Sequence, residues 1–332
     1  MSAPAARLLV ALKPREVIDA VLSERLPGIP WRYAEGAVPT ELGSVEVLLV
    51  GSVERELRGF DPHSTPRLAF VQRIYTGLDG LPFERFPDSV RFAGNVGGFA
   101  PYVAEHAVAL ALGASHELLA GHRLISQGRL RPAPAQLSFR GKTALILGYG
   151  AIGREIARRL EPFGTRRVGL NRSGRMAADL DAAYPADKLD EALAEADLVF
   201  DVRPLTRSTK GSLGAGQLSR MRPDAVYVNV GRAGTVDEAA LFDHLKSHPG
   251  FRAAMDVWWS EDYVAGTLGT RFPWSELPNF LGTPHSASSY PGAEEFALRT
   301  AVENVARYFR GETPAYLADR RDYLDTGSPG GP

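Results

Sequence analysis

Short apolar runs alternate along this chain with longer stretches whose apolar residues recur at helical spacing. In the first third the runs fall at residues 8–12, 45–50, 68–74 and 89–93, with a strand-like segment at 31–34 and a helical pattern over 15–25. A long helical pattern opens at Pro101 and continues to Gln127, with Val103, Ala107, Leu110, Ala111 and Leu118 on its apolar face. Proline suits a first helical turn, where an N–H has no intrahelical partner to lose. Beyond it, strand-like runs at 143–147, 165–170, 198–202, 225–230, 253–257 and 280–283 are separated by helical patterns over 154–160, 189–196, 215–221 and 235–246. A last helical pattern covers 291–309. This alternation predicts the α/β class, with two doubly wound parallel-sheet domains and a chain that passes from the first to the second and back. In such an architecture ligands bind beyond the carboxyl ends of the strands, and a cleft between the domains is the expected place.

The run at 143–147 leads into the most informative segment. Gly148, Tyr149, Gly150, Ala151, Ile152 and Gly153 follow it in GxGxxG spacing, and the amphipathic run 154–160 comes next. A strand before the glycines and a helix after them point to dinucleotide binding. The first glycine allows a tight turn, the second lets backbone approach a pyrophosphate, and the third lets helix pack closely on strand. The helix N-terminus offers its unpaired N–H groups and positive dipole end to that pyrophosphate. The segment lacks the Lys-Ser/Thr ending of a phosphate loop, which argues against nucleotide hydrolysis.

The second strand of the motif decides the ribose chemistry. The run 165–170 ends at Asn171, where NAD-selective sites usually carry Asp or Glu. Arg172, Ser173 and Arg175 come next. No carboxylate is present to repel a 2′-phosphate, and Arg172 can bind one through a planar, two-pronged fork. NADP(H) is therefore expected over NAD(H).

Composition narrows the rest. A chain of 332 residues suggests two domains of ordinary size. A net charge of −1 gives no bulk attraction to nucleic acid or anionic membrane. The absence of cysteine excludes disulfides, thiolate metal sites and cysteine nucleophiles. No HExxH motif or acidic ladder suggests a metal, and no run has the length of a membrane span. With no signal peptide in view, a cytoplasmic protein is expected. The Gly- and Pro-rich tail 326–332 reads as disordered.

Three polar groups stand at the ends of strands in the second domain: Arg232, Glu261 and His285. Loops at the ends of a doubly wound sheet converge, and these side chains suit hydride chemistry on a 2-keto acid. Arg232 can clamp a carboxylate and a keto oxygen. His285 can donate a proton to that oxygen as hydride arrives. Glu261 can orient the imidazole and favour its charged form. Trp258 and Trp259 suit the core and the wall of a pocket equally well, and His106 reads as structural.

The ordered motifs resemble the D-2-hydroxyacid dehydrogenases of the formate/glycerate dehydrogenase superfamily. VQRIYTGLD at 71–79 is similar to the family's QxxxxGxD segment, and VAEHAVAL at 103–110 to its bridging helix. RPLTRSTKG at 203–211 is similar to its cofactor loop. VNVGRAGTVDEAAL at 228–241, AMDVWWSE at 254–261 and TPHSAS at 283–288 are similar to its arginine, glutamate and histidine segments. The resemblance implies a flavodoxin-like substrate domain, residues 1–99 plus 288–332, and a Rossmann cofactor domain, residues 100–287. It places the catalytic roles on Arg232, Glu261 and His285. It adds Arg203, Pro204, Thr209, Val230, Gly231 and Asp256 to the cofactor site, with Asp256 near the nicotinamide. It also implies that Asn95, Val96, Gly97 and Gly98 bind a substrate carboxylate through backbone N–H groups, and that the protein is a homodimer through the 101–127 helix region.

Departures refine the picture. The family often has Pro after its Glu, and here Asp262 follows, so the loop 263–271 is expected to differ in shape. Phosphite-oxidising relatives carry Lys where this chain has Thr76, and formate-oxidising relatives carry Gln where it has Glu261. Neither activity is expected. The reading is a reversible NADP(H)-dependent reductase of small 2-keto acids such as glyoxylate and hydroxypyruvate, with NAD(H) as the secondary cofactor. A biosynthetic dehydrogenase for a larger or phosphorylated 2-hydroxy acid and a non-catalytic dinucleotide sensor are the alternatives.

Overall fold

In the computed structural model the described residues are 5–34, 42–56, 60–130, 136–262 and 265–323. The tail 326–332 and residues 263 and 264 of the loop after Asp262 lie outside them. The chain divides into two compact units, Met1–Phe99 with Tyr290–Ser328, and Ala100–Ser289.

The first unit begins with β1 (Leu8–Ala11), α1 (Glu16–Arg25), β2 (Trp31–Tyr33), β3 (Val47–Val50), α2 (Val53–Glu56), β4 (Phe70–Arg73) and β5 (Arg91–Ala93). The five strands pair in parallel in the order β5-β4-β3-β1-β2, the flavodoxin-like doubly wound order. Every residue of β1 and β3 is buried, as expected where both faces of a parallel sheet are covered. Leu9, Leu48 and Val71 face a core with Phe60, Phe83 and Phe86. Leu8, Val47 and Phe70 face one with Val21, Leu298 and Val302.

The second unit starts with α3 (Ala100–Ser115) and α4 (Leu118–Ser126), followed by β6 (Thr143–Leu147), α5 (Ala151–Leu160), β7 (Arg166–Asn171), β8 (Ala182–Pro185) and α6 (Leu189–Glu195). It continues through β9 (Leu198–Asp201), α7 (Ala215–Leu218), β10 (Val226–Asn229), α8 (Glu238–Ser247) and β11 (Arg252–Met255). A small hairpin of β12 (Glu261–Asp262) and β13 (Thr267–Leu268) precedes β14 (Phe280–Gly282). The seven parallel strands run β14-β11-β10-β9-β6-β7-β8, the Rossmann order extended by β14. The chain then returns to the first unit as α9 (Ala293–Phe309) and β15 (Leu317–Ala318), which pairs antiparallel with β5. Both domains are therefore parallel-sheet α/β folds of the expected class.

Three expectations need correction. The helix over 101–127 is two helices, because Glu117 sits in the left-handed region at φ 52° and its carboxylate pairs with the buried Arg252 at the start of β11. A side chain drawn inward at that point takes the backbone out of helical register. The helix expected from Thr235 begins at Glu238, since Asp237 caps it by accepting from the Ala240 N–H at 2.8 Å. The edge strand β8, with sequence AAYP, carries little strand signal and ends in proline, which an edge tolerates. Among the described residues no helix is long and apolar enough to cross a membrane.

Candidate active site

Parallel pairing puts five strand ends of the second unit in one row. Leu147 of β6 lies opposite Asp201 of β9, Asp201 opposite Asn229 of β10, Asn229 opposite Met255 of β11, and Met255 opposite Gly282 of β14. Every loop that follows this row leaves the same sheet edge. The strand that delivers Arg232 is two places from the strand that delivers His285, about 10 Å at the usual strand spacing.

The glycine turn follows β6. Gly148 has φ 90°, and its N–H donates to the Leu170 carbonyl at 2.9 Å. A Cβ at Gly153 would meet the Gly148 carbonyl at 2.9 Å, so this position keeps α5 close to the strand. A Cβ at Gly150 would meet nothing within 4 Å. Gly150 is the N-cap of α5 and supplies no side-chain cap, which leaves its first turn, with Ala151 and Ile152, to a ligand. An uncapped helix start beyond an open glycine is what a dinucleotide pyrophosphate requires, and these residues fit one.

A second loop, with Asn171, follows β7. Asn171 Oδ1 accepts from the Ser173 and Arg175 N–H groups at 3.2 and 3.0 Å, and its Nδ2 donates to the Arg175 carbonyl at 2.9 Å. Its amide thus shapes its own loop, an Asx turn in function, and Arg172 and Arg175 are exposed beside it.

The histidine follows β14. His285 Nδ1 lies 2.9 Å from both carboxylate oxygens of Glu261. Glu261 Oε1 also accepts from the Trp258 N–H at 2.9 Å. His285 itself adopts φ 52°, a conformation that costs a residue with a Cβ about 1–2 kcal/mol. Asp256 holds that backbone in place. Its buried carboxylate accepts from Thr283 Oγ1 at 2.6 Å and from the N–H groups of Ser286 and Ala287 at 2.9 and 2.8 Å. His106 Nε2 on α3 lies 3.1 Å from Thr283 Oγ1 and 3.4 Å from Asp256 Oδ1. Burial pushes the Asp256 carboxyl up, but the hydrogen bonds from His106, Thr283, Ser286 and Ala287 outweigh it and hold the group below the ordinary aspartate value.

Arg232 follows β10. Its carbonyl accepts from Asn229 Nδ2 at 3.2 Å and from the Thr235 N–H at 3.2 Å. Gly231 and Val230 lead into it; a Cβ at Gly231 would meet the Arg203 carbonyl at 2.9 Å. Pro204 and Thr209 close the loop after β9, with Thr209 Oγ1 donating to the Pro204 carbonyl at 2.6 Å.

The structure adds detail at four places singled out in the sequence. Arg203 turns its guanidinium into the interior, onto Asp201 and Ser212, because Asp201 offers a buried carboxylate two residues away. Asp256 is completely buried and staples the His285 loop. In the first unit, the Asn95 N–H donates to the Tyr75 carbonyl and the Gly98 N–H to the Asn95 carbonyl. The Asn95 Nδ2 group also bonds inward, to the Ile74 and Ala297 carbonyls, so of this turn the Asn95 and Gly98 N–H groups are already engaged. Trp258 and Trp259 are tied to the interior, their indole N–H groups donating to the Thr283 and Val236 carbonyls at 2.9 Å each. Sequence reasoning missed the support given by His106 and Thr283. The signal was present: β11 and β14 are neighbours, so the residues just past their paired ends, Asp256 and Thr283, had to meet.

A family model of the D-isomer specific 2-hydroxyacid dehydrogenase NAD binding domain matches residues 108–287. The chain belongs to the D-isomer specific 2-hydroxyacid dehydrogenase family. Members of this family are oxidoreductases that act on CH–OH donors with a nicotinamide dinucleotide. The glyoxylate reductase of Pyrococcus furiosus is 28% identical over 266 residues, 77% of this chain and 77% of its own. A solved structure from Pyrobaculum aerophilum, provisionally described as a formate dehydrogenase, matches with TM-score 0.81 and 29% identity over 96% of this chain and 100% of its own. A D-isomer specific 2-hydroxyacid dehydrogenase from Xanthobacter autotrophicus Py2, solved with NADPH and MES, matches with TM-score 0.80 and 25% identity, again over 96% and 100%.

Proposed function

We propose that this dehydrogenase reduces small 2-keto acids, and oxidises the matching D-2-hydroxy acids, with NADP(H) as preferred cofactor. The observation that carries the reading is the Glu261–His285 pair, both carboxylate oxygens at 2.9 Å from Nδ1. Glu261 engages Nδ1 and fixes the ring's orientation, so Nε2 is the atom that hands a proton to the substrate's keto oxygen. In the reverse direction the same nitrogen accepts it. Arg232 holds the substrate's carboxylate through its guanidinium fork, and the Val96 and Gly97 amides are the anion donors that the first unit offers. The nicotinamide supplies or takes up the hydride when bound. Gly148, Gly150, Gly153 and the first turn of α5 hold the pyrophosphate, and Arg172 with Ser173 takes the 2′-phosphate.

The second unit accordingly serves as cofactor domain and the first as substrate domain. Glyoxylate and hydroxypyruvate are the substrates tried first, in keeping with the glyoxylate reductase among the relatives. Glu261 in place of the Gln of formate-oxidising relatives argues against formate. We also read the protein as a homodimer through the 101–127 region, since α4 buries none of its residues and exposes Leu118 and Ile125.

NADPH and NADH consumption, followed by absorbance against a panel of 2-keto acids, tests the reading. Turnover with a kcat/KM at least tenfold higher for NADPH is expected. Tight NADPH binding with no turnover on any keto acid would leave a dinucleotide sensor instead, and equal kcat/KM for both cofactors would remove the role of Arg172.

A further inference from the structure

An ion pair lies behind the row of strand ends, where the reaction as read above does not use it. Asp201 closes β9 and Arg203 follows it, with side chains 0% and 7% exposed. The guanidinium donates from Nε to Asp201 Oδ1 at 2.9 Å and from Nη2 to Oδ2 at 2.6 Å, and its third nitrogen, Nη1, donates to Ser212 Oγ at 2.9 Å. Tyr227 adds its hydroxyl to Asp201 Oδ2 at 3.3 Å. The Thr235 hydroxyl lies 2.9 Å from the same oxygen and 2.8 Å from the Arg232 carbonyl. It has one proton for two acceptors, and the carboxylate is the stronger of them. Asn229 completes the set: its Nδ2 donates to the Tyr227 hydroxyl at 3.0 Å and to the Arg232 carbonyl at 3.2 Å, and its Oδ1 accepts from the Gly231 N–H at 3.0 Å.

The backbone of Arg203 also touches both working loops. A Cβ on Gly148 would come within 3.1 Å of Arg203 Cα, and a Cβ on Gly231 within 2.9 Å of the Arg203 carbonyl. The pyrophosphate turn and the residue before Arg232 therefore rest on one residue, and that residue is clamped by a buried carboxylate. Burying two charges is expensive unless their geometry is good and their remaining hydrogen-bonding sites are filled. Here the carboxylate accepts from Arg203, Tyr227 and Thr235. The cost is met at one spot, between the two loops that have to be registered against each other.

We propose that the Asp201–Arg203 pair is a positioning device, which sets the Gly148 turn and the Arg232 backbone against a common support so that dinucleotide and 2-keto acid are held in register. The proposal rests on the functional reading above. Its test keeps the two apart through NADPH affinity and amide exchange, neither of which needs turnover.

Asp201→Asn keeps the shape and removes the counter-charge of Arg203. Ser212→Ala removes only one hydrogen bond from the guanidinium, on a half-buried serine, and serves where the first variant fails to fold. On the full chain, Asp201→Asn is expected to raise the NADPH dissociation constant and the KM for glyoxylate together, each roughly three- to thirtyfold, the range for residues that couple two sites. Expected alongside are a much smaller change in kcat and faster hydrogen exchange in segments 148–153 and 230–236. Ser212→Ala is expected to move the same quantities in the same direction by less. A lowered Tm with unchanged NADPH affinity and unchanged exchange in those two segments would reduce the pair to a structural one and overturn the proposal. A shift in only one of the two loops would overturn the coupling. If the wild type turns over no 2-keto acid, the functional reading falls, while NADPH affinity and exchange still judge the pair.

Discussion

Two acid–base pairs of one sheet edge show how burial divides labour between like chemistries. His285 and Glu261 have side chains 29% and 18% exposed, while Arg203 and Asp201 are at 7% and 0%. The first pair reaches solvent and contains an imidazole, a side chain that can hand a proton to a bound molecule. The second contains a guanidinium, which stays charged at any working pH, and it is sealed from water. One pair is suited to moving a proton and the other to holding a shape. The sharpest break of this contrast is His285→Ala. It is expected to lower kcat by about 10²–10⁴-fold, the usual loss on removing a general acid, while changing stability by about 1 kcal/mol or less, as for a partly exposed pair. Stopped-flow or steady-state NADPH consumption and a urea titration of the same preparation check both halves.

Arg203→Leu is expected to do the reverse in thermodynamic terms. It leaves Asp201 buried and without its counter-charge, a loss of about 3–5 kcal/mol, read as a lowered urea midpoint at unchanged m-value. A loss below about 1 kcal/mol would mean that water or a rearranged partner serves Asp201, and the two pairs would no longer differ in kind. Arg172→Ala sits further down the scale. Its guanidinium is exposed, and removing one charge-assisted contact of about 1.5–3 kcal/mol should weaken NADP(H) binding roughly 10- to 100-fold. NAD(H) affinity should hardly move, and parallel fluorescence titrations with both dinucleotides separate these outcomes.

The division of labour was only half legible in the sequence. Periodicity and the glycine motif locate the strands of both sheets apart from the edge strands β8 and β15, because a parallel strand buried on both faces reads as an unbroken apolar run. Strand ends then mark Arg232, Glu261 and His285, and the structure brings His285 and Glu261 into contact. Side-chain direction was not legible. The resemblance put Arg203 in the cofactor site, whereas its guanidinium turns inward onto Asp201. Only the register of β9 with β10 shows that Asp201, Tyr227 and Asn229 meet at its back. The resemblance put Asp256 near the nicotinamide, and the structure adds a role that the sequence did not show, since its carboxylate also holds the Ser286 and Ala287 N–H groups. The break at Glu117 was hidden because its cause, Arg252, is far away in sequence.

A third buried titratable group tests whether burial itself, rather than pairing, sets these roles. His244 on α8 is 9% exposed, and among the described residues its Nε2 has no hydrogen-bond partner. Its ring stacks on His248 with centroids 4.1 Å apart and meets Phe251 edge-on at 4.6 Å. Burial, with the neighbouring His248 adding to it, pushes the imidazole down to about 4 from its ordinary 6.5. Among the described residues no carboxylate hydrogen-bonds this ring, so the folded state keeps it neutral. The unfolded chain takes up the proton near pH 6.5 and the folded chain only near 4, so the stabilising contribution is whole above 6.5 and is lost as the pH falls through that window. At pH 5 the loss amounts to roughly 2 kcal/mol. His244→Phe should abolish this part of the slope between pH 7 and pH 5, measured as urea midpoints at the two values, while the wild type keeps it. An equal slope in both proteins would place the proton uptake elsewhere. It would also mean that an isolated, buried imidazole can charge in this fold without the carboxylate that His285 has beside it.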